Sequence, residues 1–160
     1  MIIVSNTGPL IALAKVDALP LLKAVFAEVH IPPAVYRELL AKVGPEARHL
    51  DEALAQYIHV SLVPQPTVEV ETATRGLGAG EEQAIVLAHS IGALLLIDER
   101  LGRTAARRLG VKVTGAAGVL IRAKEIGQIQ QVRPVLEEIR RRGYWLSDAL
   151  LDEAARLAGE

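Results

Sequence analysis

The chain alternates short apolar segments with longer segments in which apolar residues recur at helical spacing. The short segments are continuous and rich in branched residues, which is typical of buried strands, and the longer ones predict amphipathic helices. Strands are expected at MIIV, VHI, IHVSLV, ALLLI and VKVT, in chain order. Because strands alternate with helices almost throughout, the pattern predicts a three-layer α/β/α fold with a central, mainly parallel sheet. The ligand site of such a sheet lies beyond the carboxyl ends of its strands.

Capping residues, prolines and glycines set the expected limits of the helices. Thr7 is expected to cap the first helix and Ser147 the last, because a hydroxyl oxygen can accept a hydrogen bond from a free N–H group of the first turn. Gly44-Pro45 is expected to end the helix PAVYRELLAKV. The stretch 64–80, PQPTVEVETATRGLGAG, is expected to be the longest loop of the chain, because it is polar and contains prolines and glycines.

Acidic or amide side chains recur where the predicted strands end and where the predicted helices lie or begin. The set consists of Asn6, Glu38, Glu81, Glu82, Asp98 and Glu99. Asn6 follows the first strand and the Asp98–Glu99 pair follows ALLLI, so both fall at carboxyl ends. Carboxylates gathered at such an edge can hold Mg²⁺ or Mn²⁺, which prefer oxygen ligands. Their joint placement therefore indicates a candidate metal site.

Each of these acids also has a structural explanation. Asp98 is suited to cap the helix that follows it, with Glu99 in the first turn, where the helix dipole favours an acid. Glu81 and Glu82 stand in the first turn of another predicted helix for the same reason. Glu38 is compatible with an ordinary exposed surface position. The functional interpretation depends on the whole set lying around one crevice.

Composition limits the classes of protein that fit this chain. It has 160 residues, enough for one domain with a proper core, and no cysteine, which excludes disulfides and thiolate chemistry. Aromatic residues make up only 3%, so the core must be aliphatic and aromatic base-stacking platforms are disfavoured. No apolar run is long enough to span a bilayer, and the first residues lack a signal-peptide pattern. A cytoplasmic protein with no membrane contact is expected.

The formal net charge of −1 gives no overall attraction to nucleic acid, so any such contact requires a local basic patch. Arg100, Arg103 and Arg107 fall on one face of the helix that follows Glu99. That face is a candidate for contacts with RNA phosphates, and the alternative is a solvated helix face. A second basic run occupies 140–142.

Other familiar sites are excluded by their spacing. The stretch RGLGAGEE places Glu81 where the dinucleotide fingerprint requires a third glycine, and no P-loop sequence is present. No two histidines have a spacing typical of a zinc site, and the nucleophile elbow G-x-S-x-G is missing.

Four motifs in order carry a resemblance to a known family. VSNTGPLIALAKV, VYREL, GAGEEQAIVLA and LLLIDERLGRTAARRLGVKVTGAAGVLIRAKEIG resemble the PIN-domain superfamily. More narrowly, they resemble a bacterial and archaeal branch of unknown function that is described as nucleic-acid-binding and is similar to toxins of the VapC kind. The resemblance covers 1–127, and 128–160 is expected to add C-terminal helices to a single domain of 1–160.

The resemblance implies an endoribonuclease that cuts single-stranded RNA with Mg²⁺ or Mn²⁺. Its acidic positions fall on Glu38, Glu82 and either Asp98 or Glu99, so the expected metal ligands are Glu38, Glu82 and Asp98. Thr7 and Glu81 are expected as helpers. The resemblance further implies an antitoxin protein as partner and a homodimer.

The first acidic position of the family falls on Asn6, which is the departure from the pattern. An amide oxygen can ligate a metal but adds no charge, so the expected divalent-ion binding is weaker. An alternative is therefore a catalytically silent PIN-like domain that binds RNA or a protein partner. A receiver-like or phosphoryl-transfer domain is a further alternative on fold analogy alone.

Overall fold

The computed structural model describes all residues, 1–160, and contains five strands and ten helices. All five strands run parallel in one sheet, in the order β3-β2-β1-β4-β5. The strands are β1 (Ile2–Ser5), β2 (Glu28–Ile31), β3 (Ile58–Val60), β4 (Leu94–Leu96) and β5 (Val113–Thr114). The predicted three-layer α/β/α fold is thereby confirmed.

The helices fill the intervals between strands and then continue past the last strand. The first five are α1 (Thr7–Lys15), α2 (Pro20–Val25), α3 (Pro33–Leu40), α4 (Ala47–Gln56) and α5 (Val68–Thr74). The other five are α6 (Ala79–Ile91), α7 (Arg100–Arg108), α8 (Ala116–Glu125), α9 (Arg133–Arg141) and α10 (Asp148–Leu157). None of the ten has both the length and the hydropathy needed to cross a lipid bilayer.

Two apolar cores lie on opposite faces of the sheet. Successive side chains of a strand point to opposite faces, and accordingly Ile3 joins the larger core while Val4 joins the smaller one. In β4, Leu96 likewise belongs to the larger core and Leu95 to the smaller. The larger core is completed mainly by α1–α4 and α8–α10, and the smaller by α6 and α7. Strands buried on both faces explain why their sequences are apolar without alternation.

The order of the strands places a crevice beside β1. From this central strand, the chain builds the sheet outward to β2 and β3 on one side and to β4 and β5 on the other. A reversal of this kind leaves a gap at the carboxyl ends of the central strands, because the helices that follow them diverge to opposite faces. Asn6 comes directly after β1 and is held there by its backbone N–H, which donates to the Leu96 carbonyl at 2.9 Å.

The expectation of one long loop over 64–80 is wrong, because α5 occupies its middle. The hydroxyl oxygen of Thr67 accepts a hydrogen bond from the Val70 N–H at 3.3 Å and caps this helix. Val70 and Thr74 are buried, so tertiary packing favours a helix in a segment whose flanking prolines and glycines suggested none. The predicted cap at Ser147 is present, since its hydroxyl accepts from the Leu150 N–H at 3.1 Å.

Candidate active site

A small polar cavity of about 280 Å³ opens at the carboxyl edge of the sheet, beside the end of β1. Residues from four segments of the chain line it, and among them are three carboxylates, one amide and one hydroxyl. The lining residues are Asn6, Thr7, Gly8, Glu38, Gly78, Gly80, Glu81 and Glu99. No lysine, arginine or histidine is among them. We call this cavity the acidic pocket.

Asn6 forms the base of the acidic pocket at the junction between β1 and α1. It occupies the N-cap position of α1, where Thr7 was expected, but its side chain makes no capping hydrogen bond. Only 5% of the residue is exposed. The amide of Asn6 is therefore held close to the acids and is not used to stabilise the helix.

Glu38 reaches the acidic pocket because α3 packs closely against the start of α6. The Ala34 N–H donates to Gln83 Oε1 at 2.9 Å, which fixes the two helices to each other. A Cβ atom at position 80 would lie 2.5 Å from Glu38 Oε1, so a side chain there would push this carboxylate out of its present place. The Thr7 hydroxyl donates a hydrogen bond to Glu38 Oε2. Glu38 is thus positioned by contacts from both α1 and α6.

Glu81 and Glu99 bring two further carboxylates together from α6 and from the start of α7. Burial, the adjacent carboxylate of Glu99 and the more distant charge of Glu38 all raise the pKa of Glu81. Like charges oppose ionisation of one another, and no basic side chain offsets this effect in the acidic pocket. The three acids therefore leave an uncompensated concentration of negative charge.

Asp98 directly precedes Glu99 in the chain, but it does not line the acidic pocket and its carboxylate bonds to other segments. Its Oδ2 accepts a hydrogen bond from the Tyr144 hydroxyl at 2.6 Å, and its Oδ1 accepts one from the Ala116 N–H at 3.0 Å. The second bond satisfies a free N–H group at the start of α8, not of α7. Burial and the charge of Asp98 raise the pKa of Tyr144, so the tyrosine remains a donor at neutral pH.

The structure brings together some of the predicted site residues and separates others. The acidic pocket is lined by five of the predicted residues: Asn6, Glu38, Glu99 and the expected helpers Thr7 and Glu81. Glu82 follows Glu81 in the first turn of α6 but does not line it, and Asp98 lines a neighbouring cavity.

The donor set of the acidic pocket fits a hard divalent cation. Carboxylate, amide and hydroxyl oxygens are the ligands that Mg²⁺ and Mn²⁺ prefer. With the side chains as they stand, no group of three or more acids or histidines is arranged to hold one ion. Glu38 and Glu99 are exposed side chains, so neighbouring atoms do not fix them as tightly as buried ones. The pocket fits the metal by donor chemistry and charge.

The three arginines predicted to contact RNA differ in their surroundings. Arg103 is half-buried, and its Nη1 donates to the Ile97 carbonyl at 2.7 Å, which ties α7 to the end of β4. Arg100 and Arg107 are exposed and form no ion pair. By contrast, each arginine of the basic run 140–142 forms an ion pair with a nearby acid.

Two residues of this region were not identified from the sequence. Gly80 allows Glu38 to approach α6, and the only signal for it is a glycine directly before the two acids. Tyr144 contacts Asp98 from the segment between α9 and α10. The distance of 46 positions between these two residues explains why no local pattern indicated their contact.

Comparisons with known proteins agree with this architecture. A family model described as PIN domain matches residues 2–160. Among solved structures, a PilT N-terminus domain protein from the hyperthermophilic archaeon Sulfolobus solfataricus P2 is similar, with 19% sequence identity and a TM-score of 0.53. The similarity covers 74% of this chain and 90% of that chain, and at this identity it shows a shared fold. No curated protein matches the chain.

Proposed function

The chain belongs to the PIN-domain family, and on this premise we propose that it is a metal-dependent endoribonuclease that acts on single-stranded RNA. The fold is nuclease-like. The observation that carries the proposal is the acidic pocket, where Glu38, Glu81 and Glu99 meet at the carboxyl edge of the sheet with no basic side chain among the lining residues. Such a charge arrangement disfavours the free protein and favours one that has bound a cation.

In this proposal Glu38, Glu81 and Glu99 hold Mg²⁺ or Mn²⁺, and Asn6 adds a neutral amide oxygen. Glu81 and Glu99 take the parts that the sequence suggested for Glu82 and Asp98, because they are the acids that line the pocket. When bound, the metal ion lowers the pKa of a water molecule and stabilises charge on the phosphate. Thr7 orients the Glu38 carboxylate through its hydrogen bond.

The RNA backbone is proposed to run along the exposed arginines of α7. This helix begins directly after Glu99, so Arg100 lies beside the acidic pocket and Arg107 lies further along the same helix. Exposed guanidinium groups suit phosphate contacts that position a strand without reading its sequence. A flexible single strand can bring one phosphodiester to a cavity of this size, whereas a rigid duplex presents both backbones at fixed spacing.

The proposal extends to an antitoxin partner and to a homodimer on family resemblance alone. Many PIN proteins are toxins that pair with an antitoxin, and PIN-like proteins commonly dimerise. A neighbouring gene that encodes a small DNA-binding protein would support the toxin interpretation, and sedimentation of the purified chain would establish its oligomeric state.

The decisive experiment compares two adjacent acids of α6. Purified protein is incubated with labelled single-stranded RNA in Mn²⁺, in Mg²⁺ and in a chelator. We expect cleavage only with metal, a loss of about a hundredfold or more in Glu81→Gln, and nearly native activity in Glu82→Gln. A reversed order of the two variants would return the ligand role to Glu82. Full activity in chelator would refute the metal dependence.

A second candidate function is a silent PIN-like domain that binds RNA or protein without cutting it. Asn6 supports it, because a buried amide stands where the family pattern has an acid. The test is Asn6→Asp, which restores the missing charge at the base of the acidic pocket. If this variant cleaves RNA and the native chain does not, the silent function is correct. Cleavage by the native chain rules it out.

A further inference from the structure

A second cavity, of about 420 Å³, lies on the other side of Asp98 from the acidic pocket. We call it the side groove. It is enclosed by β5 and the start of α8, by α10, and by the segment 144–147 that leads into α10. The lining is largely apolar, with Val113, Ile121 and Leu150 among its residues, and Asp98, Arg103 and Trp145 add polar and aromatic surface. Nothing in the proposed cleavage step uses this cavity.

The side groove and the acidic pocket share a wall. Asp98 lines the side groove while the next residue, Glu99, lines the acidic pocket. Tyr144 connects them from the opposite direction, because its hydroxyl hydrogen-bonds to Asp98 and lies 3.1 Å from the place that a Cβ of Gly8 would occupy. Gly8 itself lines the acidic pocket. A molecule held at the acidic pocket therefore has the side groove as its immediate neighbour.

Trp145 is the most conspicuous residue of the side groove. It is the single tryptophan of the chain, and 82% of it is exposed. Its neighbours are anchored, since Tyr144 is bonded to Asp98 and Leu146 is buried in the larger core. A large aromatic ring left in water on a fixed backbone offers a flat face with little further entropy to lose on binding.

We propose that the side groove is a subsite for the base of a nucleotide next to the cleaved phosphodiester, with Trp145 as its stacking surface. This inference rests on the proposed function. A volume of about 420 Å³ matches a small-molecule pocket, which suits one base with its sugar. Arg103 stands at the boundary with donors beyond the one bonded to Ile97, and these suit the phosphate.

Because Trp145 lies in the side groove, binding of RNA there can be measured without any cleavage. Because the chain has one tryptophan, its fluorescence reports on the side groove alone. The native protein is titrated in chelator with a single-stranded oligoadenylate of about six nucleotides, a length within the usual site size for single strands. An abasic ribose-phosphate oligomer of the same length is the comparison. Binding is measured in parallel by anisotropy of labelled RNA.

We expect oligoadenylate to quench Trp145 with the same Kd that anisotropy gives, and the abasic oligomer to leave the fluorescence unchanged. Trp145→Ala should weaken binding of oligoadenylate by about tenfold or more, because it removes a stacking partner. Trp145→Phe should recover most of that loss. Val43→Ala is the matched control, because Val43 is equally exposed, at 82%, and lines neither cavity.

Other outcomes separate this inference from the proposed function. If oligoadenylate binds but neither the fluorescence nor the Trp145→Ala affinity changes, the base subsite is refuted and the nuclease proposal stands. If the native protein binds no single-stranded RNA either in chelator or with Mg²⁺ or Mn²⁺ present, both are refuted. If Trp145→Ala instead converts a dimer to a monomer in sedimentation experiments, the side groove is a protein interface and the subsite is refuted.

Discussion

Two glutamates in different parts of the molecule show two ways of treating a carboxylate that is withdrawn from water. Glu46, before α4, has only 6% of its side chain exposed, and the ammonium groups of Lys15 and Lys42 both lie 3.3 Å from its Oε1. Burial by itself would raise the pKa of Glu46, but hydrogen bonds from its own backbone and from the two lysines lower it. Glu81, in the acidic pocket, has acids as neighbours, and its pKa is raised.

The difference between these glutamates separates a structural carboxylate from a candidate functional one. A buried charge needs a partner, and around Glu46 the protein supplies two. Around Glu81 it supplies further negative charge, which is unfavourable unless something else neutralises it. Both glutamates look alike in sequence, so only the environment distinguishes them. Charge removal should therefore have opposite effects on folding stability at the two positions.

The largest expected effect on stability in the absence of metal is at Glu46. Glu46→Gln leaves Lys15 and Lys42 without their acid, and both lysines are partly buried, so we expect a loss of about 2 kcal/mol. Urea unfolding at neutral pH measures it. Glu52→Gln is the matched control, because Glu52 forms an exposed i,i+4 pair with Arg48 and should cost less than about 0.5 kcal/mol. Equal losses at 46 and 52 would show that burial does not distinguish these pairs.

The second prediction concerns the response of the acidic pocket to metal. Binding to the folded protein alone stabilises it, by about 2.7 kcal/mol at a metal concentration of a hundred times Kd. We expect Mn²⁺ to raise the Tm of the native protein and the rise to be largely lost in Glu99→Gln. Asp98→Asn is the control: it weakens contacts with Tyr144 and Ala116, so its Tm starts lower. Its rise with Mn²⁺ should persist.

If the Mn²⁺ response instead disappears in Asp98→Asn and persists in Glu99→Gln, the assignment of Glu99 as the metal ligand is wrong. The ligand would then be the residue that the sequence suggested. Zero response in the native protein, at concentrations that support RNA cleavage, would show that the acidic pocket does not bind the metal in the absence of RNA.

A smaller effect is expected at Glu160, a second carboxylate with favourable partners. The Val132 N–H donates to it at 2.6 Å, the Arg133 N–H at 3.0 Å, and Lys124 lies 3.0 Å away. These contacts, led by the Val132 N–H and opposed by burial, lower the pKa of Glu160 to about 2. Glu160→Gln should cost about 1 kcal/mol at neutral pH.

The pH dependence at Glu160 follows from the direction of its shift. A lowered pKa in the folded state means that the stabilisation is complete above the ordinary value of 4.5 and is lost as the pH falls toward 2. The stability difference between native protein and Glu160→Gln should therefore shrink over that interval. A difference that stays constant from neutral pH to pH 2 would show that the charge of Glu160 contributes nothing.

The sequence predicted the layers of this fold and the edge that holds the acidic pocket, but it could not choose between adjacent acids. Successive residues of a helix project about 100° apart, so Glu81 and Glu82 point in different directions, and how α6 packs decides which of them lines the pocket. Asp98 and Glu99 differ because Tyr144 and Ala116, which are distant in the chain, donate hydrogen bonds to the carboxylate of Asp98. Periodicity and caps are local, whereas these contacts join distant segments.

The last and smallest effect is a gain in stability from Glu81→Gln in the absence of metal. Because the folded pKa of Glu81 is raised, its contribution to stability is complete below 4.5 and is lost as the pH rises through the folded value. The uncharged glutamine avoids that loss, so the variant should exceed the native protein at neutral pH and converge with it in acid. Glu81 is only half-buried, and solvent screening keeps the gain below about 1 kcal/mol.

The measurement is thermal unfolding in chelator at several pH values, with Glu82→Gln as control, because the shift at Glu81 arises in the acidic pocket that Glu82 does not line. A lower Tm for Glu81→Gln at neutral pH would mean that the carboxylate stabilises the fold, as Glu46 does. A higher Tm together with loss of RNA cleavage would mean that one charge weakens the fold and serves the reaction. A merely structural carboxylate cannot produce that pair of results.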